Sequence, residues 1–330
     1  MKYTIFKILE WILFIWFAII AGWFASGVIE HFFSNRTSFS QYEGEVTKYP
    51  VVVMRAPEVK QSDDVEIHYQ SRGIRIQQKL EIGENYLYND NYNKTEKVIL
   101  DSLEDFQGRR VFRIIHATPI LGENKVPSGY IKMYAKDEKK NSSDDKIHSY
   151  LISKGNSPGL INGFRDGKPM LILIGKNTKV IYNIQPQMTK YLEQLGKCQT
   201  EAYYVCIASH LDTMEFHKCS NKCIPDVFSN LGKNYSTAFC RNNTSTQQCV
   251  LKHIFKQDVV SNCKKSCSNL EYFGEKLNDM NIESNKENWN LYFLQYRLVN
   301  QDFTAKVYEE YLVYDAIGMI GSVGGTLGIY

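Results

Sequence analysis

Eight cysteines, the whole complement of a 330-residue chain, fall between Cys198 and Cys267. Their order is Cys198, Cys206, Cys219, Cys223, Cys240, Cys249, Cys263 and Cys267. Thiols so gathered can pair into disulfides, ligate a metal as thiolates, or attack as nucleophiles. Cys219 with Cys223 and Cys263 with Cys267 are two close pairs, and His217 lies beside the first; these are donor types that tetrahedral zinc accepts. An even count in an oxidising compartment implies a disulfide framework instead, with roughly a hundred pairings open to eight cysteines. The compartment decides between them.

The flanks of the block indicate that compartment. Trp11 to Ile29 carries no formal charge and is bounded by Glu10 and Glu30. At about 1.5 Å per residue its length nearly matches a hydrocarbon core of about 30 Å, so a membrane helix is expected over 11–29. Lys2 and Lys7 make residues 1–10 a short cytoplasmic N-terminus by the positive-inside bias. The competing reading is a secretory signal peptide cleaved near Ala25-Ser26-Gly27. The length of the stretch and its tryptophans, Trp11, Trp16 and Trp23, favour the membrane helix. Both readings deliver residues 31 onward to an oxidising compartment, where disulfides are expected at all eight cysteines and neither a metal, a cofactor nor a catalytic thiol is. Glycan acceptor sequons at Asn35, Asn93, Asn141, Asn234, Asn242 and Asn243 agree with that topology.

Composition narrows the class. With 43% hydrophobic and 23% charged residues the chain can bury a substantial core, and a net charge of +3 is too small to argue for nucleic acid. The serine-hydrolase elbow, the paired-histidine zinc motif, the P-loop and the dinucleotide fingerprint are all missing, so an enzyme is not expected.

Along the chain, Val46 to Met54 reads as a buried strand. From Val65 to Ile184 the pattern is short and strand-like, with alternation at Gly73-Ile74-Arg75-Ile76 and apolar runs at Val111-Phe112 and Leu171-Ile172-Leu173-Ile174. Turns are expected at Gly83, Asn89-Asp90, Gly122, Pro127-Ser128-Gly129 and Ser157-Pro158-Gly159. Short helices are expected over Gln187 to Leu195, Cys206 to Phe216 and Asn269 to Leu277, then strands over Leu291 to Leu298 and Thr304 to Tyr311. The cysteine sub-domain, stapled rather than packed, is stiff enough to act as a lever.

The last segment, Ala316 to Tyr330, is uncharged and carries Gly318, Gly321, Gly324, Gly325 and Gly328. Gly321 with Gly325, and Gly324 with Gly328, form two small-xxx-small pairs that let helix backbones approach closely in a membrane. At fifteen residues, about 22 Å as a helix, the segment is shorter than a bilayer core. It is either re-entrant or the start of a second transmembrane helix, and the latter is expected over 315–330.

Taken together, these residues resemble the degenerin/epithelial sodium channel family, which includes the acid-sensing ion channels. Tyr49-Pro50-Val51-Val52-Val53 is similar to the family's strand after the first span. Cys219-Ser220-Asn221-Lys222-Cys223-Ile224-Pro225 and Cys263-Lys264-Lys265-Ser266-Cys267 resemble its thumb. Tyr308-Glu309-Glu310-Tyr311 follows two strands, and Ile320-Gly321-Ser322-Val323-Gly324-Gly325-Thr326-Leu327-Gly328-Ile329 resembles its pre-pore segment.

The resemblance implies an α+β membrane protein with two transmembrane helices, the second incomplete here, around an extracellular domain over 30–314. That domain would comprise an antiparallel β palm with finger and knuckle strands over about 45–185, a disulfide-bonded helical thumb over about 186–280 and returning palm strands over about 288–312. It implies a plasma-membrane homo- or heterotrimer in the lipid bilayer, conducting sodium ions, blocked by amiloride and gated by an extracellular stimulus. Gly321, Gly324, Gly325 and Gly328 fall at its pore and gate.

Several departures stand beside the likeness. The family's Gly-x-Ser filter and cytoplasmic His-Gly motif are missing, no cysteine precedes Cys198, and the thumb has eight cysteines where many members have ten. A divergent subunit, with a chain stopping inside its second helix, is the expectation. A non-conducting, disulfide-rich binding protein or regulatory subunit is the alternative. His68, His116, His148 and His210, and the acidic pairs Asp63-Asp64, Asp144-Asp145 and Glu309-Glu310, are candidate proton or calcium sites. Phe32 and Phe33 are candidate contacts at the membrane surface.

Overall fold

The computed structural model describes residues 2–34, 37–45, 49–57, 64–71, 77–90, 93–104, 110–117, 128–136, 146–152, 169–213, 219, 223–225, 228, 235–240, 245–250, 262–299, 304–313 and 316–327. The chain divides into two compact units, Met1–Gln41 with Tyr308–Tyr330, and Tyr42–Val307.

In the first unit, α1 spans Lys2–Phe33. It is longer than the expected 11–29 because Lys7 and Glu10, which bound the apolar run, are themselves good helix formers; residues 2–10 are therefore helical. Within it, Phe6–Glu30 is long and apolar enough to cross a membrane. Its apolar side chains have nothing to pack on over most of the circumference: Trp11, Trp16 and Trp23 are 64%, 60% and 72% exposed. The helix continues unbroken through Ala25-Ser26-Gly27. A second helix, α3 (Ala316–Leu327), packs against α1. At the end of the unit where α1 stops and α3 starts, Thr37 Oγ1 donates to Glu310 at 2.7 Å and Ser40 Oγ to the Glu309 carbonyl at 3.4 Å. These bonds join strand β1 (Thr37–Glu45), which the alternation of the sequence did not mark, to β16 (Thr304–Leu312).

The second unit is built around two sheets facing each other. The first has eight strands in the order β1, β16, β11 (Thr178–Lys190), β15 (Trp289–Leu298), β8 (Ser128–Lys136), β3 (Val65–Ser71) and β4 (Gln78–Lys79), with β14 (Ser268–Asn281) paired to β11 off that path. The second has six, ordered β10 (Met170–Gly175), β9 (Lys146–Ile152), β2 (Val51–Arg55), β7 (Arg110–His116), β6 (Lys94–Glu104) and β5 (Gly83–Asn89). Alternate residues of both sheets turn inward to one shared core: Val52 and Met54, Val98 and Leu100, and Phe112 and Ile114 from one side, with Ile67 and Tyr69, Ile131 and Met133, and Leu294 and Tyr296 from the other. This is the period-two burial of a sheet sandwich. The first sheet is mixed rather than purely antiparallel, because β11 and β15 run parallel.

Three sequence expectations are overturned here. Gln187 to Lys190 belongs to β11, leaving only a 3-10 turn at Glu193–Leu195, and Asn269 to Leu277 belongs to β14. The two segments are each other's partners, from Thr189 opposite Asn269 back to Gln185 opposite Phe273, so ladder hydrogen bonds that neither finds alone override their helical composition. Gly129 is not a turn residue but an interior position of β8 opposite Tyr296, where a Cβ would run into the tyrosine ring. The stretch between these two strands, 191–267, carries all eight cysteines. Its described helices are α2 (Tyr203–Thr213), close to the expected 206–216, and a stretch over 245–250. The strands expected over 291–298 and 304–311 are β15 and β16. The alternation at 73–76 and the turns at Gly122 and 157–159 lie outside the described residues.

Candidate functional site

The glycines singled out from the sequence fall on α3. Gly321, Gly324 and Gly325 lie within the helix, while Gly328 lies outside the described residues. A Cβ built on Gly321 would meet no atom within 4 Å, so its Cβ direction faces open space. Gly22 and Gly27 on α1 are equally open. Within one chain, then, no contact in the Cβ direction accounts for Gly321, which presents bare backbone outward. Phe32 and Phe33 stack edge to face at the end of α1, centroids 5.5 Å apart.

The cysteine block hangs from the β11/β14 ladder as from a neck. Where the ladder ends, Tyr191 N donates to the Cys267 carbonyl and Cys267 N to the Gln199 carbonyl, each at 2.7 Å. The Cys198–Cys267 disulfide closes the neck there. The other bridges are Cys206–Cys263, Cys219–Cys249 and Cys223–Cys240, so all eight cysteines are paired. Each close pair in sequence is split between two bridges, which leaves no thiolate for zinc. The grouping of Cys206 and Cys263 with His210 has two of its three donors joined to each other. Inside the block, Tyr203, Tyr204, Ile207 and Leu211 of α2 pack with Ile224, Phe228 and Val250 around these sulfurs. Asp212 pins the block's far side by accepting from Ser236 N at 3.0 Å, Ser236 Oγ at 2.8 Å and Thr237 N at 2.7 Å. These bonds, led by the Ser236 amide, hold its carboxyl far below the usual range although it is only half-buried.

One end of the sandwich core is polar. Glu96 of β6, in phase with inward-facing Val98 and Leu100, is 5% exposed. It accepts from Ser71 Oγ at 2.9 Å and from Asn89 Nδ2, and its carboxylate lies 2.8 Å from His116 Nε2. Burial pushes the Glu96 carboxyl up, but hydrogen bonds to His116, Asn89 and Ser71 outweigh it and hold it below the ordinary value. The Tyr49 ring stacks on His116 at 4.1 Å. Burial raises the phenol of Tyr69 well above its ordinary value and that of Tyr296 likewise. The sequence reading noted His116 but missed Glu96; its signal is a carboxylate in register with two core residues of its own strand.

The remaining candidates are scattered. His68 lies 3.4 Å from Glu66 Oε2, while burial, with Lys286 and Lys132 adding to it, lowers its basicity more than Glu66 raises it. His148 Nδ1 is 3.4 Å from the Tyr150 hydroxyl, and His210 sits in the last turn of α2. Asp64 is buried 3.7 Å from Lys136, and Glu310 accepts from Thr37. Asp63, Asp144 and Asp145 lie outside the described residues, as do the sequon residues Asn35, Asn141, Asn234, Asn242 and Asn243. Asn93 is exposed in a tight turn with φ of 49°, where it accepts from the Tyr88 hydroxyl.

No protein-family model matches the sequence, and no curated protein does. Among solved structures, a cryo-EM structure of a proton-activated chloride channel aligns over 98% of this chain and 93% of that one, at 8% identity and a TM-score of 0.44. A likeness at that level defines neither a shared fold nor a shared activity. What stands on the structure itself is a mostly β-sheet domain with four disulfides and an N-terminal apolar helix.

Proposed function

We propose that the chain is a subunit of an oligomeric ion channel in a membrane, with α1 and α3 as its transmembrane elements and the disulfide-bonded unit outside the cell. The observation that carries this reading is the unsatisfied surface of the first unit. An apolar helix of 32 residues stays exposed around most of its circumference, and the helix beside it turns the bare backbone of Gly321 outward. Water does not tolerate the first, and neighbouring subunits at a common axis account for the second. Symmetric copies of α3 lining that axis give an ion route. The neck supplies a path to it: β14 pairs β11, β11 lies next to β16 in the sheet, and β16 leads into α3 after three residues.

The finer terms, a trimer selective for sodium and blocked by amiloride, rest on the resemblance of residues 320–329 to the degenerin/epithelial sodium channel family. So does the extracellular trigger. The chain is not an enzyme in this reading.

The test is expression of the full chain in oocytes, as itself and with Gly321→Trp. Currents are recorded while sodium and chloride are replaced in turn, with and without amiloride. A surface-expressed wild type whose current reverses with the sodium gradient, and whose amplitude the substitution changes at least several-fold, supports the proposal. A reversal potential that follows chloride removes the sodium assignment and keeps the channel. Surface oligomers that carry no current under acid, peptide or stretch leave the non-conducting subunit.

A further inference from the structure

We propose that the outer face of the eight-stranded sheet carries an oxyanion site, made by Lys132 and Lys179 on either side of Phe293 with Arg297 farther along the same face, that takes a sulfate or phosphate group, free or as the ester of a sugar. The placement follows from register. Lys132 of β8 is opposite Phe293 of β15, and Phe293 is aligned with Lys179 of β11. Residues directly opposed across strands share a face, and Arg297, four residues on from Phe293, lies on that face too. None of the four belongs to the shared core, which takes the alternate residues Met133, Val180, Leu294 and Leu298.

Both ammonium groups converge on one ring. Lys132 Nζ is 5.1 Å and Lys179 Nζ 4.9 Å from the Phe293 centroid, so the two lie at most twice that distance apart. Burial, then the charges of Arg297 and Lys132, lower the basicity of Lys179. A ring face attracts cations without neutralising them. Among the described residues none of the three cations has a carboxylate within ion-pair distance. Glu66, on the same face, is already engaged by Lys286, by Lys79 at 3.5 Å and by His68 at 3.4 Å. Glu275 stands opposite Asn183, itself aligned with Arg297, and so two strand spacings from Arg297, about 10 Å.

Two ammonium groups at one ring, with a guanidinium about 13 Å along the strand on the same face and, among the described residues, no carboxylate at ion-pair distance of any of them, form an anion-binding patch on a rigid sheet. A planar guanidinium fork that its long side chain can bring toward two point-charge donors suits an oxygen-rich anion better than a halide. The count is too small and too local for a polynucleotide, which needs a track of cations. The site does not depend on the channel reading, because it lies wholly on the sheet and binding is measured without current.

The experiment is calorimetric titration of the detergent-solubilised full chain with sodium sulfate against sodium chloride at matched ionic strength, then with a sulfated disaccharide and its unsulfated form. Sulfate should bind saturably where chloride does not, and Lys179→Gln and Arg297→Gln should each weaken it about tenfold or more. A sulfated disaccharide at least tenfold tighter than sulfate identifies the sugar ester, and equal affinity identifies the free ion. Hydrogen exchange of β15 in each variant, unchanged from wild type, separates lost binding from lost folding. Failure of the wild type to bind either probe, or equal binding by wild type and both variants, overturns the proposal.

Discussion

Removing the Cys198–Cys267 bridge tests how the cysteine block is held. Alone, a bridge between cysteines 69 apart in sequence constrains the unfolded chain by about 4 kcal/mol at 25 °C. It is not alone, because Cys206–Cys263 lies immediately inside it. With the inner bridge formed, the outer one closes a loop of only about a dozen residues, the two short arms between the cysteines, and its contribution falls to about 3 kcal/mol. The same reasoning gives about 3 kcal/mol for the inner bridge in the presence of the outer. Losing both leaves Cys219–Cys249 and Cys223–Cys240 closing the interior, frees the roughly 40 residues outside them and costs about 7 kcal/mol. The two bridges are therefore coupled by about 1 kcal/mol in a double-mutant cycle. Serine pairs at 198 and 267, at 206 and 263, and at all four positions supply the cycle. The readout is native-state hydrogen exchange of the α2 amides, where Tyr203, Tyr204 and Ile207 are fully buried, in the full chain in detergent. Additive costs, or a loss near 4 kcal/mol for the outer bridge alone, would refute the nested arrangement.

Gly129→Ala drives a Cβ into the buried Tyr296 ring and is expected to destabilise the fold by about 1–3 kcal/mol, read as a lowered urea midpoint. Glu96 has a folded pKa below its unfolded value, so its contribution is present above the unfolded carboxylate range, near pH 4.3, and is lost as pH falls through the folded value. Urea midpoints measured from pH 6 to pH 3 should thus drop at the acid end, and Glu96→Gln should lack that component while being less stable at pH 6. Asp212→Asn should speed exchange at the Ser236 and Thr237 amides, leaving β15 unchanged. Gly321→Ala should leave folding of the single chain intact, because nothing lies within 4 Å of the new methyl, so any change in current reports a neighbouring copy.

How far the sequence carries depends on whether the deciding contact is local. β15 and β16 were legible because they are rich in Tyr, Phe and Val, residues that fit a pleated, half-buried surface. α1 was legible from hydropathy, although its ends were not, since a charge ends an apolar run without ending a helix. The segments 187–195 and 269–277 misled because Gln, Glu, Lys and Leu favour helix in isolation, while the contact that makes them strands joins residues some eighty positions apart. Gly129 misled for the same reason. Next to Pro127 and Ser128 it reads as a turn, and only the register that sets it against Tyr296 explains why no side chain fits there.

The same distinction separates the two polar clusters that sequence reading left unassigned. Glu96 carries a local trace, its phase with Val98 and Leu100, so a charged residue facing inward could have been flagged from β6 alone. Lys132, Lys179, Phe293 and Arg297 carry none: each is an ordinary outward residue of its own strand. They become a site only because β11 and β15 are parallel neighbours and β8 pairs β15 from the other side. A one-residue slip in either pairing would put Lys132 or Lys179 on the opposite face from Phe293 and dissolve the cluster. The shared core forbids that slip, since it would also turn Met133 and Val180 out of the sandwich. The register that buries the core on one side of the sheet therefore sets Lys132, Lys179 and Arg297 on its other face, where among the described residues none of them has a carboxylate at ion-pair distance.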